Sequence, residues 1–201
     1  MISLAHNISY IPPLDEPLSA NVVLIEGAEY LWVYDVGSTP DAVSVIKSYG
    51  KPVRAILSHF HPDHIANLEK LDCDEVYQCK NTYGYTHRGR IIEKEELIED
   101  GELRLRLFPV SSCHAKGSLS LEVDDTWCFL GDAAYATRKN GSTVYNTGQL
   151  LELIRILENT GASYFLMSHH DPFLQKREEV LGWLKEIAAG RHPGEAYITV
   201  G

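Results

Sequence analysis

Short apolar runs alternate with amphipathic stretches along the first third of the chain. Residues 21–26 and 30–35 are rich in β-branched and aromatic side chains and predict two strands joined by a tight turn. Pro40 suits the first position of a helix, and Gly50 is placed to close it. The next apolar run, residues 53–58, is short and continuous, which predicts a buried strand.

The middle of the chain continues with short elements. The pattern predicts a helix, a strand, an alternating strand and the two arms of a hairpin at 65–71, 75–79, 102–110, 118–123 and 126–130. Asp124–Asp125 supplies the turn of that hairpin, and Asp100–Gly101 is a second turn signal. Residues 81–101 are polar and predict no clear element before that turn.

The last third repeats the strand and helix pattern. A helix is predicted at 147–159 with Thr147 as its N-cap, followed by a strand at 163–168 and a helix at 174–189. Each half of the chain thus ends with a helix and then a short apolar strand that leads into histidines. This alternation predicts an α/β architecture with sheets inside and helices outside.

Length and charge narrow the classes of function. A chain of 201 residues fits one domain, so we expect residues 1–201 to form a single unit. The formal net charge is −10, and such a field repels phosphate backbones, which disfavours nucleic-acid binding.

The remaining composition indicates where the chain works. The four cysteines include no CxxC pair, which disfavours a structural zinc knuckle. The N-terminus has neither a positive region nor a long apolar stretch, and no apolar run approaches the ~20 residues that span a bilayer. We therefore expect a cytoplasmic protein with reduced thiols and no membrane partner.

The densest chemistry lies in the segment HFHPDH, which runs from His59 to His64. It holds three imidazoles and one carboxylate, a donor set that suits zinc and, with the carboxylate, iron or manganese. His59 and His61 can face the same way from an extended segment, whereas Asp63 and His64 come at a helix start and could serve a second ion. A histidine-rich surface loop is the competing interpretation.

Further donors follow other apolar runs. They are His114 in SSCHAKGS, Asp132 in FLGDAAY, and His169 and His170 in MSHHDP. Any one of them alone is more often structural than catalytic. Their recurrence at predicted strand ends favours one shared site, because α/β sites gather at the carboxyl ends of strands.

These motifs resemble the metallo-β-lactamase superfamily over nearly the whole chain. HFHPDH matches its HxHxDH motif, LWVYDVGS is similar to its strand ending in an Asp-x-Gly turn, and FLGD matches its strand ending in Gly-Asp. LFPVSSCHAKGSLSL is similar to the family stretch TPGHTPGSLSL, and MSHHDP stands where the family has Pro-Gly-His-Gly. The sequence departs from the family at Ser112-Cys113, where Pro-Gly is common, and it lacks the glycines around His169.

The resemblance implies a four-layer αββα sandwich with two divalent ions at its edge. Zinc is expected, with iron or manganese as alternatives. By analogy one ion is held by His59, His61 and His114, and the other by Asp63, His64 and His169. Asp132 bridges the two ions, and His170 competes with His169 for the last position. By the same resemblance Asp35 supports the metal loops, although a plain turn aspartate is the competing reading.

The expected chemistry follows from charge. Two divalent ions bring four positive charges and Asp63 and Asp132 cancel two, so a bridging water is readily deprotonated and can attack a carbonyl. Asp63 or Asp132 is expected to carry the proton to the leaving group. In the lactonase branch of the superfamily a tyrosine at the spacing of Tyr135 contacts the substrate carbonyl, so Tyr135 is a candidate oxyanion donor. The competing role for Tyr135 is packing.

The leading hypothesis is a metal-dependent hydrolase of a small ester, lactone or thioester. The alternatives are a β-lactamase-like amide hydrolase and a mononuclear iron dioxygenase acting on a persulfide. A redox role of the di-iron flavoprotein kind is disfavoured, because those proteins have Glu at the position of His61. The expected partner is a small-molecule substrate, and a homo-oligomer is compatible with the sequence.

Overall fold

Two large β-sheets, two small ones and five α-helices make up residues 1–200, the part of the chain that the computed structural model describes. The strands in chain order are β1 Ile2–Ala5, β2 Ile8–Ile11, β3 Leu14–Asp15, β4 Leu18–Ser19, β5 Val22–Glu26, β6 Leu31–Tyr34, β7 Val53–Ile56, β8 Cys73–Gln78, β9 Arg90–Ile91, β10 Glu96–Asp100, β11 Leu103–Val110, β12 Ser118–Val123, β13 Trp127–Gly131, β14 Thr137–Lys139, β15 Ser142–Asn146, β16 Tyr164–Met167, β17 Leu174–Lys176 and β18 Tyr197–Val200. The α-helices are α1 Pro40–Ser48, α2 Pro62–Ile65, α3 Lys80–Thr86, α4 Thr147–Glu158 and α5 Arg177–Ala189, and a 3-10 turn covers Leu68–Lys70. No α-helix among these is long and apolar enough to cross a membrane.

The two large sheets face each other. The first has the strand order β1-β2-β5-β6-β7-β8-β9 and the second the order β10-β11-β12-β13-β16-β17. Each contains a crossover between two neighbouring parallel strands. The connection from β6 to β7 contains α1, and the connection from β13 to β16 contains α4. The two similar halves predicted from the sequence are these two crossovers.

Three apolar clusters define four layers. Between the sheets, side chains such as Trp32 and Leu107 form the central core. Ala42 and Ile46 of α1 cover the outer face of the first sheet. Helices α4 and α5 cover the outer face of the second, with Leu153 in that cluster. Strands β6 and β12 are buried along their whole length because both of their faces are covered. The predicted αββα sandwich is confirmed.

Asp100 ties the two sheets together at one end. Its carboxylate, at the end of β10, accepts hydrogen bonds from the backbone N–H of Glu29 (2.8 Å) and Tyr30 (3.1 Å) and from Nε1 of Trp32 (2.9 Å). Gly27 is required by this approach, since a Cβ there would lie 1.9 Å from Oδ2 of Asp100. The contact lies at the start of β6, whereas Asp35 follows its far end.

Several predicted boundaries are wrong. The cap of α4 is Asn146, whose side chain accepts from Gln149 N, so Thr147 is the first helical residue. The last helix begins at Arg177 because residues 174–176 pair with β16. The helix predicted at 65–71 is broken into the end of α2 and a 3-10 turn.

Other elements carry no clear signal in the sequence. They are β1 to β4, helix α3, and a three-stranded sheet in which β15 pairs with both β14 and the C-terminal β18. The hairpin around Asp124 and Asp125 is confirmed, with φ of 50° at both residues.

Candidate metal centre

The seven predicted donors meet at one edge of the sandwich. The first sheet contributes four of them through the loop and helix after β7, and the second sheet contributes three through the segments after β11, β13 and β16. The donors are His59, His61, Asp63, His64, His114, Asp132 and His169. They fall into two groups, and within each group the donor atoms lie within 4.8 Å of one another.

The first group contains three histidines and Asp132. Nδ1 of His61 lies 2.9 Å from Nε2 of His59 and 3.1 Å from Nε2 of His114. Oδ2 of Asp132 lies 3.2 Å from Nε2 of His114 and 4.0 Å from Nε2 of His59. Four nitrogen and oxygen atoms therefore converge on one point, in numbers that suit a four-coordinate divalent ion.

The second group contains Asp63, His64 and His169. Oδ2 of Asp63 lies 3.0 Å from Nε2 of His169 and 3.3 Å from Nε2 of His64. His170 points elsewhere, because its Nδ1 lies 3.1 Å from the carbonyl of Pro172 and 2.8 Å from Nε2 of Gln175. The structure thus brings His169 into the cluster and leaves His170 outside it.

Asp132 stands between the groups. While Oδ2 faces the first group, Oδ1 lies 3.5 Å from Nε2 of His64 in the second. A carboxylate with one oxygen towards each group has the arrangement of a bridging ligand.

Two buried atoms indicate that the cluster is built to hold cations. Nε2 of His64 and Oδ1 of Asp132 are buried and lack a hydrogen-bond partner. Unpartnered buried polar atoms are rare in folded proteins, and each one calls for an explanation. A divalent ion in each group would contact these atoms, and histidine nitrogens with carboxylate oxygens are the donors that zinc, iron and manganese accept. The residues present therefore fit two divalent ions.

A hydrogen-bonded network behind the cluster orients its histidines. Asp35, which is fully buried, accepts from the backbone N–H of Ser58 (2.8 Å) and from its hydroxyl (2.7 Å). Nδ1 of His64 lies 2.8 Å from the same carboxylate, at Oδ2. Nδ1 of His59 lies 3.0 Å from the Ser58 hydroxyl. Since the carboxylate can only accept, Nδ1 carries the proton in His64 and Nε2 faces the cluster.

The electrostatics of the histidines follow from burial and these carboxylates. Burial lowers the pKa of His59, and the neighbouring His64 and His61 rings lower it further. Burial also lowers the pKa of His61. Burial alone would lower the pKa of His64, but the carboxylates of Asp35 and Asp132 raise it to about 10. The position of His64 thus favours a positive charge, which a metal ion would supply in place of a proton.

Asp63 carries the matching negative charge. Burial opposes ionisation, but the hydrogen bond with His169 and the nearby His64 hold the pKa of the Asp63 carboxyl below its ordinary value. The carboxylate is therefore available as a ligand at neutral pH.

The sequence offered only weak signals for two supporting residues. Ser58, directly before the motif, joins Asp35 to His59. Asn21 precedes β5, and its Oδ1 accepts from the backbone N–H of His169 at 3.0 Å. His169 has a φ of 61°, and this hydrogen bond helps to hold it there. An amide at the head of an apolar run was the only sign of Asn21 in the sequence.

Gly131 allows the two sheets to approach each other directly before Asp132. Its φ is 54°, and a Cβ there would lie 2.5 Å from Cβ and 2.6 Å from Oγ of Ser58. The Gly-Asp pair that the sequence singled out is thus fixed by packing against Ser58 as well as by backbone conformation.

Tyr135 lies beside the first group. Its ring centroid is 6.2 Å from that of His114, and its hydroxyl donates to the carbonyl of Ser168 at 2.6 Å. Burial and the nearby Asp132 raise the pKa of Tyr135, so the hydroxyl keeps its proton. Cys113 faces away from the cluster, since its Sγ lies 3.5 Å from the carbonyl of Asn146.

Comparisons with known proteins agree with this fold. A family model described as the metallo-beta-lactamase superfamily matches residues 15–72, which include Asp35 and the HxHxDH motif. No curated protein matches the chain.

Solved structures resemble the chain over most of its length at low identity. An archaeal metallo-beta-lactamase superfamily protein from Sulfolobus tokodaii is 17% identical, with a TM-score of 0.63 over 98% of this chain and 91% of that one. A B3 metallo-beta-lactamase with an active-site glutamic acid is 12% identical, with a TM-score of 0.71 over 94% of this chain and 89% of that one. A flavo di-iron protein from Thermotoga maritima is 14% identical, with a TM-score of 0.67 over 87% of this chain and 54% of that one.

Proposed function

Because this chain has the metallo-β-lactamase fold and resembles that superfamily in its motifs, we propose that it is a metal-dependent hydrolase with two divalent ions. Its substrate would be a small ester, lactone or thioester, and zinc would be its metal. The net charge of −10 supports a small substrate over a nucleic acid.

The observation that carries the proposal is the placement of Asp132. One of its oxygens faces the group of His59, His61 and His114, and the other faces His64 in the second group. Each group has three donors of its own and the two share the Asp132 carboxylate, so an ion that accepts a fifth ligand would keep one position for a water or a substrate oxygen.

The chain's own residues then have distinct roles. The two ions, when bound, would supply Lewis acidity towards a water and a carbonyl oxygen. Asp63 or Asp132 would accept the proton of the attacking water and return it to the leaving group. Tyr135 would donate its hydroxyl hydrogen to the carbonyl oxygen of the substrate in exchange for its bond to Ser168.

The number of ions separates this proposal from the oxygenase alternative. A mononuclear iron enzyme would use fewer of the seven donors, whereas the structure gathers all of them into two adjoining groups. The resemblance to a flavo di-iron protein, at 14% identity, concerns the fold alone.

The first test is metal content. Protein purified without added metal or chelator would be measured by elemental analysis beside Asp132→Ala and the matched control Asp41→Ala, an exposed acid on α1. We expect about two ions per chain in the wild type and the control, with a sharp fall in Asp132→Ala. One iron per chain, retained in Asp132→Ala, would favour the oxygenase.

The second test is hydrolysis. The metal-loaded wild type would be offered simple 4-nitrophenyl esters, a γ-lactone, a thioester and a β-lactam. Turnover of the first three classes above that of Asp132→Ala supports the proposal. Turnover of the β-lactam alone would transfer the assignment to the amide hydrolase.

A further inference from the structure

An apolar cavity of about 450 Å³ adjoins the candidate metal centre. The two share His61, whose Nδ1 faces the first metal group while its ring lines the cavity. A ligand in the cavity would therefore lie against a side chain of the catalytic cluster. The volume falls within the range of ~300–1,000 Å³ that small-molecule sites occupy.

The walls come from both sides of the metal motif. Phe60 lies between His59 and His61 in the sequence, and its ring lines the cavity beside the ring of His61. Pro62, Ile65, Ala66 and Leu68 continue the wall through α2 and the 3-10 turn. The shape of this surface is thus set by the same segment that places the metal donors.

Tyr85 of α3 closes the other side. Its ring stacks on Phe60 with a centroid distance of 4.6 Å and an interplanar angle of 4°. Even so, Tyr85 is 62% exposed, a large aromatic surface left in contact with water next to an apolar cavity. Contact with an apolar ligand would cover this surface and stabilise the bound state.

The charge of the lining indicates a neutral occupant. Among the described residues that line the cavity, Glu69 and Arg88 are the acidic and basic side chains, one of each sign. The hydroxyl of Thr86 is already engaged, since it donates to Oε1 of Gln78 at 2.8 Å. The lining therefore offers a mostly apolar surface on which the two opposite charges leave no net charge.

We propose that this cavity is a subsite for an uncharged apolar carbon chain of the substrate. This proposal rests on the hydrolytic function proposed above. The substrate class narrows accordingly to esters, thioesters or lactones that carry a chain of several carbons. The chain would extend from the carbonyl at the metal cluster past His61 and along the surface that the stacked rings of Phe60 and Tyr85 offer to the cavity.

Binding of neutral amides tests the subsite without catalysis. Affinities of hexanamide and acetamide would be measured by ligand-observed NMR with wild type, Ala66→Phe, Tyr85→Ala and Tyr83→Ala. Ala66 is exposed and lines the cavity, so a phenylalanine there fills it, whereas Tyr83 lies on the same helix as Tyr85 outside the lining. All variants would be checked for an unchanged thermal midpoint.

We expect hexanamide to bind at least tenfold more tightly than acetamide in wild type and in Tyr83→Ala. The ratio of the hexanamide affinity to the acetamide affinity should approach one in Ala66→Phe and fall severalfold in Tyr85→Ala. An equal affinity of the two amides in wild type, or a ratio that Ala66→Phe leaves unchanged, would overturn the subsite.

Kinetics then separates the subsite from the hydrolase. Methyl hexanoate, hexyl acetate and ethyl acetate place the chain on the acyl side, on the alcohol side or on neither. A higher kcat/KM for either hexyl-length ester, lost in Ala66→Phe, supports the subsite and shows which side it holds. Hydrolysis indifferent to chain length keeps the function and rejects the subsite. Selective amide binding without hydrolysis of any ester keeps the subsite and rejects the function.

Discussion

Oδ2 of Asp35 lies 2.8 Å from Nδ1 of His64, and both side chains are fully buried. The contact fixes the ring of His64 so that Nε2 points at the two metal groups. Asp35 itself has a φ of 57° and follows directly on the end of β6. The two residues form a rigid support that a metal ion would meet already assembled.

Replacing Asp35 by Asn tests that support. Asn accepts a left-handed backbone, so Asp35→Asn changes the charge and hydrogen bonding with little backbone strain. We expect metal affinity of the His64 group to fall ~10–100-fold, the usual cost of losing a partner that orients a ligand. Competition with a chromophoric chelator would measure it, with Asp41→Asn as the exposed control. Equal affinities in the two variants would contradict the role of Asp35.

Two neighbouring histidines provide a matched pair. In His169→Gln the second group loses a donor, whereas in His170→Gln only the contacts with Pro172 and Gln175 are lost. We expect about one ion fewer per chain in His169→Gln and unchanged content in His170→Gln, by elemental analysis. The reverse pattern would mean that the ligand is His170.

Tyr135→Phe removes one hydroxyl and keeps the ring. If that hydroxyl stabilises developing charge on the substrate oxygen, kcat should fall ~100-fold, as for other oxyanion donors, while metal content stays the same. Steady-state kinetics on a hydrolysed ester, with metal content measured on the same sample, would check this. Loss of metal with the activity would instead assign Tyr135 to positioning Ser168.

Gly131→Ala tests the close approach of the sheets. Gly50 has a φ of 65° with no atom within 4 Å of the position that an added methyl group would take, whereas at Gly131 the methyl would meet Ser58. Both substitutions carry the left-handed backbone cost of ~1–2 kcal/mol, and Gly131→Ala adds ~1–3 kcal/mol for overpacking. Urea unfolding would compare the two free energies. A loss no larger than that of Gly50→Ala would show that Ser58 moves aside freely.

Asp100→Asn should destabilise the fold in a pH-dependent way. Burial opposes ionisation, but hydrogen bonds from Glu29 and Trp32 hold the pKa of Asp100 below its ordinary value. A lowered folded-state pKa contributes stability above the unfolded pKa of about 3.9, and that contribution is lost as the pH falls through the folded value. We expect Asp100→Asn to cost ~2 kcal/mol at pH 7, since hydrogen bonds to a charged group are replaced.

The measurement is urea unfolding of the metal-free protein at pH 7, 5 and 3.5. Chelator keeps the candidate metal centre out of the comparison, and Asp41→Asn serves as the exposed control. The difference between wild type and Asp100→Asn should shrink at the lowest pH. A difference that stays constant down to pH 3.5 would show that the charge of Asp100 contributes nothing.

The parts of the fold that the sequence predicted are those with a strong local signal. Strands such as β6 and β7 are continuous apolar runs, and the donors after them are read directly from their strand ends. The bridging position of Asp132 and the choice of His169 came from the resemblance, and the structure places both side chains in the cluster.

The missed parts depend on contacts between distant segments. Strand β15 is polar at its start and is completed by β18, which lies at the far end of the described chain. Likewise the cavity beside His61 exists only because α3 brings Tyr85 onto Phe60. No local pattern encodes such meetings, because each partner alone has the composition of an ordinary loop or short helix.

The hydrogen bonds of Asp100 join the two sheets at one edge of the sandwich. This edge is where β6 and β11 begin, and the candidate metal donors lie at the opposite edge. An ion bound there would cross-link the two sheets, since His64 follows a strand of the first sheet and His169 follows a strand of the second. The contacts of Asp100 involve no metal donor, so we expect local unfolding of the metal-free chain to start at the edge that holds the donors.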